Sequence, residues 1–198
     1  MRYESIGDAI GGTPLVRVDA LLPEAARAKG IHLYAKVEML GPTGSIKDRT
    51  AKALIDDLVF KGLLTPGKEL LEPTSGNTGA ALAVHAAARG IPITLVMPSN
   101  VTEERRAFVR ALGATIVDSP ADQGSNGAVL LARAMAKADS KYVSPDQYSN
   151  QANPKVHEIT TAPEIFTDLP EVDVVVQDSA RVAPPPDSPA TSRARSRA

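Results

Sequence analysis

Helical segments that each run into a glycine, followed by a short apolar run, limit this chain's fold more than any other feature. Asp48 to Lys61 carries Ala51, Leu54, Ile55, Leu58 and Val59 at helical spacing, with Gly62 just past the end. Glu69-Leu70-Leu71 reads as a strand, and Asn77 to Arg89 as a helix apolar nearly all round, hence buried, closed by Gly90. Pro92 to Met97 is the next strand, and Thr102 caps a helix that runs to Leu112 and stops at Gly113. Thr115-Ile116-Val117, a helix from Asn126 to Lys137, and a strand at Tyr142-Val143 complete the alternation. Strands alternating with helices of this length predict an α/β fold whose parallel sheet is covered on both faces. Ligands in such sheets lie beyond the carboxyl ends of the strands.

The flanks read differently. Gly11-Gly12-Thr13-Pro14-Leu15-Val16 is a turn entering an extended piece, Leu21 to Lys29 a short helix stopped by Gly30, and His32 to Glu38 a strand. Val172-Asp173-Val174-Val175-Val176 reads as a buried strand. The tail from Gln177 to Ala198 holds four prolines, four arginines and no aromatic residue, which predicts disorder. A net charge of −1 gives the chain no electrostatic footprint for nucleic acid or an anionic membrane. The absence of cysteine removes disulfides, zinc-thiolate sites and thiol nucleophiles. Met1-Arg2-Tyr3-Glu4-Ser5 carries no apolar signal run, so a soluble cytoplasmic protein is expected.

Two stretches carry chemistry. In Pro42-Thr43-Gly44-Ser45-Ile46-Lys47-Asp48-Arg49, Gly44 and Ser45 let the backbone approach a ligand, and Lys47 stands at a helix N-terminus. The helix partial charge and neighbouring Arg49 favour a neutral amine, the form able to make a Schiff base. Glu72-Pro73-Thr74-Ser75-Gly76-Asn77-Thr78-Gly79 links a strand to a helix. It is either an ordinary helix start capped by Ser75 or Asn77, or a cradle for a phosphate or carboxylate. The two stretches are expected to be walls of one site. His32, His85 and His157 show no metal spacing, and His85 reads as a satisfied core residue. Glu103-Glu104-Arg105-Arg106 reads as a solvated helix start, and Met39, Met97 and Met135 as core filler.

These two stretches resemble the signatures of the cysteine synthases (O-acetylserine sulfhydrylases), members of the β-family, or fold type II, of pyridoxal-phosphate enzymes. Gly12-Thr13-Pro14-Leu15-Val16, Met97-Pro98, Leu112-Gly113-Ala114, Gln147 to Pro154 and Thr160-Thr161-Ala162-Pro163-Glu164-Ile165 match in order, so the resemblance spans residues 1 to about 176. Thr43 to Lys47 and Gly124-Ser125-Asn126 lean towards the B-like branch. The resemblance implies pyridoxal 5'-phosphate as cofactor, Lys47 as its Schiff-base lysine and Asn77 as a bond to its ring oxygen. Thr74, Ser75, Thr78 and Gln147 would bind the substrate carboxylate. The implied reaction is β-replacement on O-acetyl-L-serine or O-phosphoserine by a sulfur donor, giving L-cysteine. A cystathionine β-synthase-like activity of the same family is the alternative. Partners would be these small molecules and a second copy of the chain, with no metal, nucleic acid or membrane.

The same resemblance divides the chain. Residues 39–145 would form a smaller α/β domain, and 1–38 the N-terminal part of a larger one whose C-terminal half begins at 146–176. The family has a glycine–threonine phosphate loop where residues 177–198 stand. Codons for Gln177 to Ser188, read one nucleotide out of phase, permit Ala-Gly-Leu-Gly-Thr-Gly-Gly-Thr-Pro-Thr-Gly-Leu, such a loop. The tail is therefore expected to be frameshifted, with the larger domain incomplete, dimer formation in doubt, and the chain close to inactive.

Overall fold

The computed structural model describes residues 2–176; the readings of the 177–198 tail lie outside them. The chain opens with β1 (Leu15–Arg17), one helical turn α1 (Glu24–Arg27) and β2 (Tyr34–Lys36), which pairs antiparallel with β1. Then follow α2 (Lys47–Phe60), β3 (Glu69–Pro73), α3 (Asn77–Ala87), β4 (Ile93–Pro98), α4 (Glu103–Ala111), β5 (Thr115–Ser119), α5 (Gly124–Ala138) and β6 (Tyr142–Val143). Two further helices, α6 (Ala152–Val156) and α7 (Ala162–Asp168), are joined by a π-helical turn, His157–Thr161.

The four later strands form one sheet in the order β5-β4-β3-β6, and every pair is parallel. Side-chain alternation explains why both faces are covered. Leu70, Leu95 and Met97 pack with Ala51 and Ile55 of α2, Leu82 of α3 and Val109 of α4. Their neighbours Leu71 and Val96 point the other way, onto Ala128 and Ala132 of α5. The central strand β4 is buried at every position. Each leucine so buried contributes about 1.5–3 kcal/mol. This two-faced core fixes the carboxyl ends of β3 and β6, from which the site is built.

Five readings need correction. The segment 172–176 forms no strand, and Val174, Val175 and Val176 are exposed. Among the described residues no strand lies beside it, and an extended run becomes a strand only when a neighbour takes its backbone hydrogen bonds. The first helix shrinks to one turn after Pro23, and the strand at 32–38 to three residues, the length of its partner β1. Arg106 is not solvated: it is buried, with its guanidinium 2.7 Å from Asp118. Met39 is exposed in the short turn Glu38–Leu40, although Met97 is core. Among the described residues no helix is long and apolar enough to cross a membrane, and no group of three His, Cys, Asp or Glu is placed to hold a metal.

Candidate active site

Four consecutive polar residues, Lys47, Asp48, Arg49 and Thr50, open α2, and all four are buried. Burying polar groups is costly unless each is bonded, so what each meets defines the site. Asp48 folds the preceding turn onto the helix. Its carboxylate accepts the Thr43 backbone N–H at 2.9 Å and the Thr43 hydroxyl at 2.8 Å. Gly41 is needed beside it, because a Cβ there would stand 2.6 Å from Asp48 Oδ2. The Ser45 hydroxyl accepts the Lys47 backbone N–H at 3.2 Å, so the glycine turn delivers Lys47 as the first helical residue.

Arg49 is a clamp. Its guanidinium donates to both oxygens of Glu38 and both of Glu164, at 2.7 to 2.9 Å. Lys36 adds a 2.8 Å contact to Glu164. Burial alone would raise the Glu164 carboxyl, but Arg49 and Lys36 hold it well below its ordinary range, near 2. The cluster joins β2, α2 and α7. Arg49's charge is thereby paired with two carboxylates.

The loop after β3 is held by Thr74, not by Ser75 or Asn77. Gly76 occupies the cap position of α3 and itself makes no side-chain cap bond. The Thr74 hydroxyl oxygen accepts the N–H groups of Gly76 at 3.3 Å and Gly79 at 3.2 Å. That leaves the hydroxyl proton of Thr74 to donate outward, along with the first-turn N–H groups of Asn77 and Thr78, which have no partner within the helix by position. The exposed Arg105 of α4 donates to the Ser75 carbonyl at 2.8 Å. Thr74, Ser75, Asn77, Thr78 and Gln147 line one cleft of about 80 Å³, together with Val129 of α5 and Tyr148.

An uncharged relay connects this cleft to the lysine-bearing helix. The Thr78 hydroxyl donates to Gln147 Oε1 at 2.8 Å, Asn153 Nδ2 donates to the Gln147 carbonyl at 2.8 Å, and the Thr50 hydroxyl donates to Asn153 Oδ1 at 3.1 Å. The structure thus gathers five of the six expected residues in the cleft. Lys47 is not among those lining it; it stands at the head of α2, three residues before Thr50. His157 closes the relay, with Nδ1 3.0 Å from the Thr161 hydroxyl, and burial pushes its imidazole down to about 4. His85 is buried as expected but unsatisfied: Nε2 has no partner among the described residues, and burial lowers its basicity.

Residues 6–179 match the family model of the pyridoxal-phosphate dependent enzymes. The chain belongs to this family. A probable cysteine synthase of Bacillus subtilis is 44% identical over 165 residues, 83% of this chain and 52% of the relative. Cysteine synthase of Entamoeba histolytica superposes with a TM-score of 0.84 at 35% identity, covering 89% of this chain and 52% of that one. The O-acetylserine dependent cystathionine β-synthase of Helicobacter pylori gives 0.76 at 34% identity, over 85% of this chain and 55% of that one. This chain therefore spans about half the length of the curated relatives it matches.

Proposed function

We propose that this chain supplies the lysine and the carboxylate cleft of a pyridoxal-phosphate-dependent β-replacement. The reaction makes L-cysteine from O-acetyl-L-serine or O-phosphoserine and a sulfur donor. The observation that carries the reading is the relay Thr78–Gln147–Asn153–Thr50, which ties the cleft to the helix that begins at Lys47. The donor set suits the cofactor: a buried primary amine, the Asn77 amide and first-turn N–H groups without helical partners. When bound, pyridoxal phosphate supplies an electron sink for the substrate's Cα. Lys47 Nζ would be the attachment point and would carry the Cα proton. Asn77 would donate to the cofactor's ring oxygen. Thr74, Ser75, Thr78 and Gln147 would hold the substrate carboxylate, with the Thr78 hydroxyl donating to Gln147 Oε1.

Similarity to the O-acetylserine dependent cystathionine β-synthase supports a second reading, with homocysteine in place of sulfide as the acceptor. Product analysis with each acceptor separates the two. Residues 39–145 as the smaller domain, a cytoplasmic location and pairing with a second copy belong to the same proposal.

The first test is the visible absorbance of the purified 198-residue chain with added pyridoxal phosphate. A protein-bound band is expected in the parent chain and absent in Lys47→Ala. A band of equal strength in both, or none in the parent, overturns Lys47 as the attachment point in this chain.

A further inference from the structure

Glu72 has no part in the chemistry above, yet it sits at the carboxyl end of β3 with 1% of its surface exposed. Its Oε1 accepts the Gln147 Nε2 hydrogen at 2.9 Å, and the Asp146 backbone N–H also bonds the carboxyl. Its Oε2 has no partner among the described residues. Asp146 is the one non-glycine residue described at positive φ, 49°, a conformation that side chains with a Cβ adopt rarely. That bend lies immediately before Gln147.

A glutamine amide has an oxygen end and a nitrogen end of nearly the same shape, and its neighbours decide which faces where. The neighbours of Gln147 differ in kind. Thr78 offers a hydroxyl, which can donate or accept and so would tolerate either end. Glu72 meets the amide through Oε1, and with its acid proton on Oε2, the oxygen without a partner among the described residues, Oε1 can only accept and so takes the nitrogen end. We propose that Glu72 is a positioning residue that fixes the Gln147 amide, so that Oε1 meets Thr78 and the second Nε2 hydrogen is left for a carboxylate in the cleft. This rests on the reading that the cleft takes a carboxylate.

A fixed negative charge behind Gln147 would oppose that ligand. Burial pushes the Glu72 carboxyl up to about 8, and Asp146, the charged side chain facing it, adds to the rise against the opposing bonds from Gln147 and the Asp146 N–H. The Gln147 amide and the Thr78 hydroxyl beyond it are uncharged. Near neutral pH the group is therefore an uncharged acid, and it ionises as pH rises past about 8.

The test follows the side-chain amide signals of Gln147 by ¹⁵N NMR in the 198-residue chain from about pH 6 to about pH 10, assigned by their loss in Gln147→Met. Binding of propionate, a carboxylate without an amine, is measured over the same range. In the parent chain the Gln147 signals should shift with a midpoint near 8, and propionate affinity should fall about tenfold across it. Glu72→Gln keeps an acceptor oxygen and cannot ionise, so it should bind propionate with no such fall. Glu72→Leu removes the acceptor and should bind about tenfold more weakly at every pH. Gln147 signals indifferent to pH in the parent, or a transition that persists in Glu72→Gln, overturn the proposal. A Gln147 transition without propionate binding upholds Glu72's hold on the amide and overturns the carboxylate reading of the cleft.

Discussion

The first turn of α2 is buried between two polar regions of opposite character. On one side Arg49 and Lys36 meet Glu38 and Glu164, so the charges pair off as two cations and two carboxylates. On the other side Thr50, Asn153, Gln147 and Thr78 form a chain with no formal charge. The charged region joins segments far apart in sequence, β2, α2 and α7. The uncharged region reaches the cleft and presents donors and acceptors of set direction. The proposed carboxylate cleft would benefit from this division, because an entering carboxylate would meet oriented dipoles rather than a fixed like charge.

The division is broken most severely from the charged side. Arg49→Met leaves Glu38 and Glu164 without their main partner, and removing one member of a buried ion network costs about 3–5 kcal/mol. Urea unfolding should show that loss, with part of it recovered when Glu164→Gln is added, since one orphaned charge is then removed. A loss below about 1 kcal/mol would mean that the clamp does not hold these segments together.

Within the cleft the tightest contact is steric. A Cβ at Gly79 would stand 2.4 Å from Thr74 Cγ2, nearer than packed atoms come. Gly79→Ala should therefore cost about 1–3 kcal/mol and displace the Thr74 hydroxyl from the Gly76 and Gly79 N–H groups. Thr74→Ser removes Cγ2 and keeps the hydroxyl, so the double variant should recover most of the loss. Failure of the serine to restore stability would show that the backbone, not the threonine methyl, sets the limit.

What the sequence discloses follows the reach of each interaction. The sheet and its helices were legible because their periodicities are local: Leu70 and Leu71 go to opposite faces by alternation, and Ala51 and Ile55 to one face by helical spacing. Val172 to Val176 shows the limit of that logic, since an apolar run has no strand without a neighbour. The expected residues Thr74, Ser75, Asn77, Thr78 and Gln147 were found through motifs and do share a cleft. Glu72 belonged to the same motif but gave no hint of a role, because the group that defines it, Gln147, is 75 residues away. The clamp at Arg49 was hidden for the same reason: Glu164 lies 115 residues on. The Thr74 cap was obscured by Ser75 and Asn77, which are the commoner residue types at that position.

The smallest expected effect sharpens the uncharged side, and it appears only in acid. His157 Nδ1 is 3.0 Å from the Thr161 hydroxyl and Nε2 is 3.4 Å from that of Thr50, an arrangement that uses a neutral ring, accepting at Nδ1 and donating at Nε2. Burial, then the positive fields of Lys47 and Arg49, lower its folded value to about 4, against a partial opposing effect of Glu38. The unfolded chain would bind its proton at about 6.5. Between those values the unfolded state holds a proton that the fold excludes, so stability rises with pH across the window. The contribution is present in full above about 6.5 and is lost as pH falls towards 4. His157→Gln can bond both hydroxyls and cannot titrate. Its urea midpoint should lie close to the parent's at neutral pH and fall less on acidification to about pH 5, the difference isolating His157 from the carboxylates that also protonate there. Parallel acid losses in the two proteins would show that the ring is already protonated in the fold, and that the region beside Thr50 is not uncharged after all.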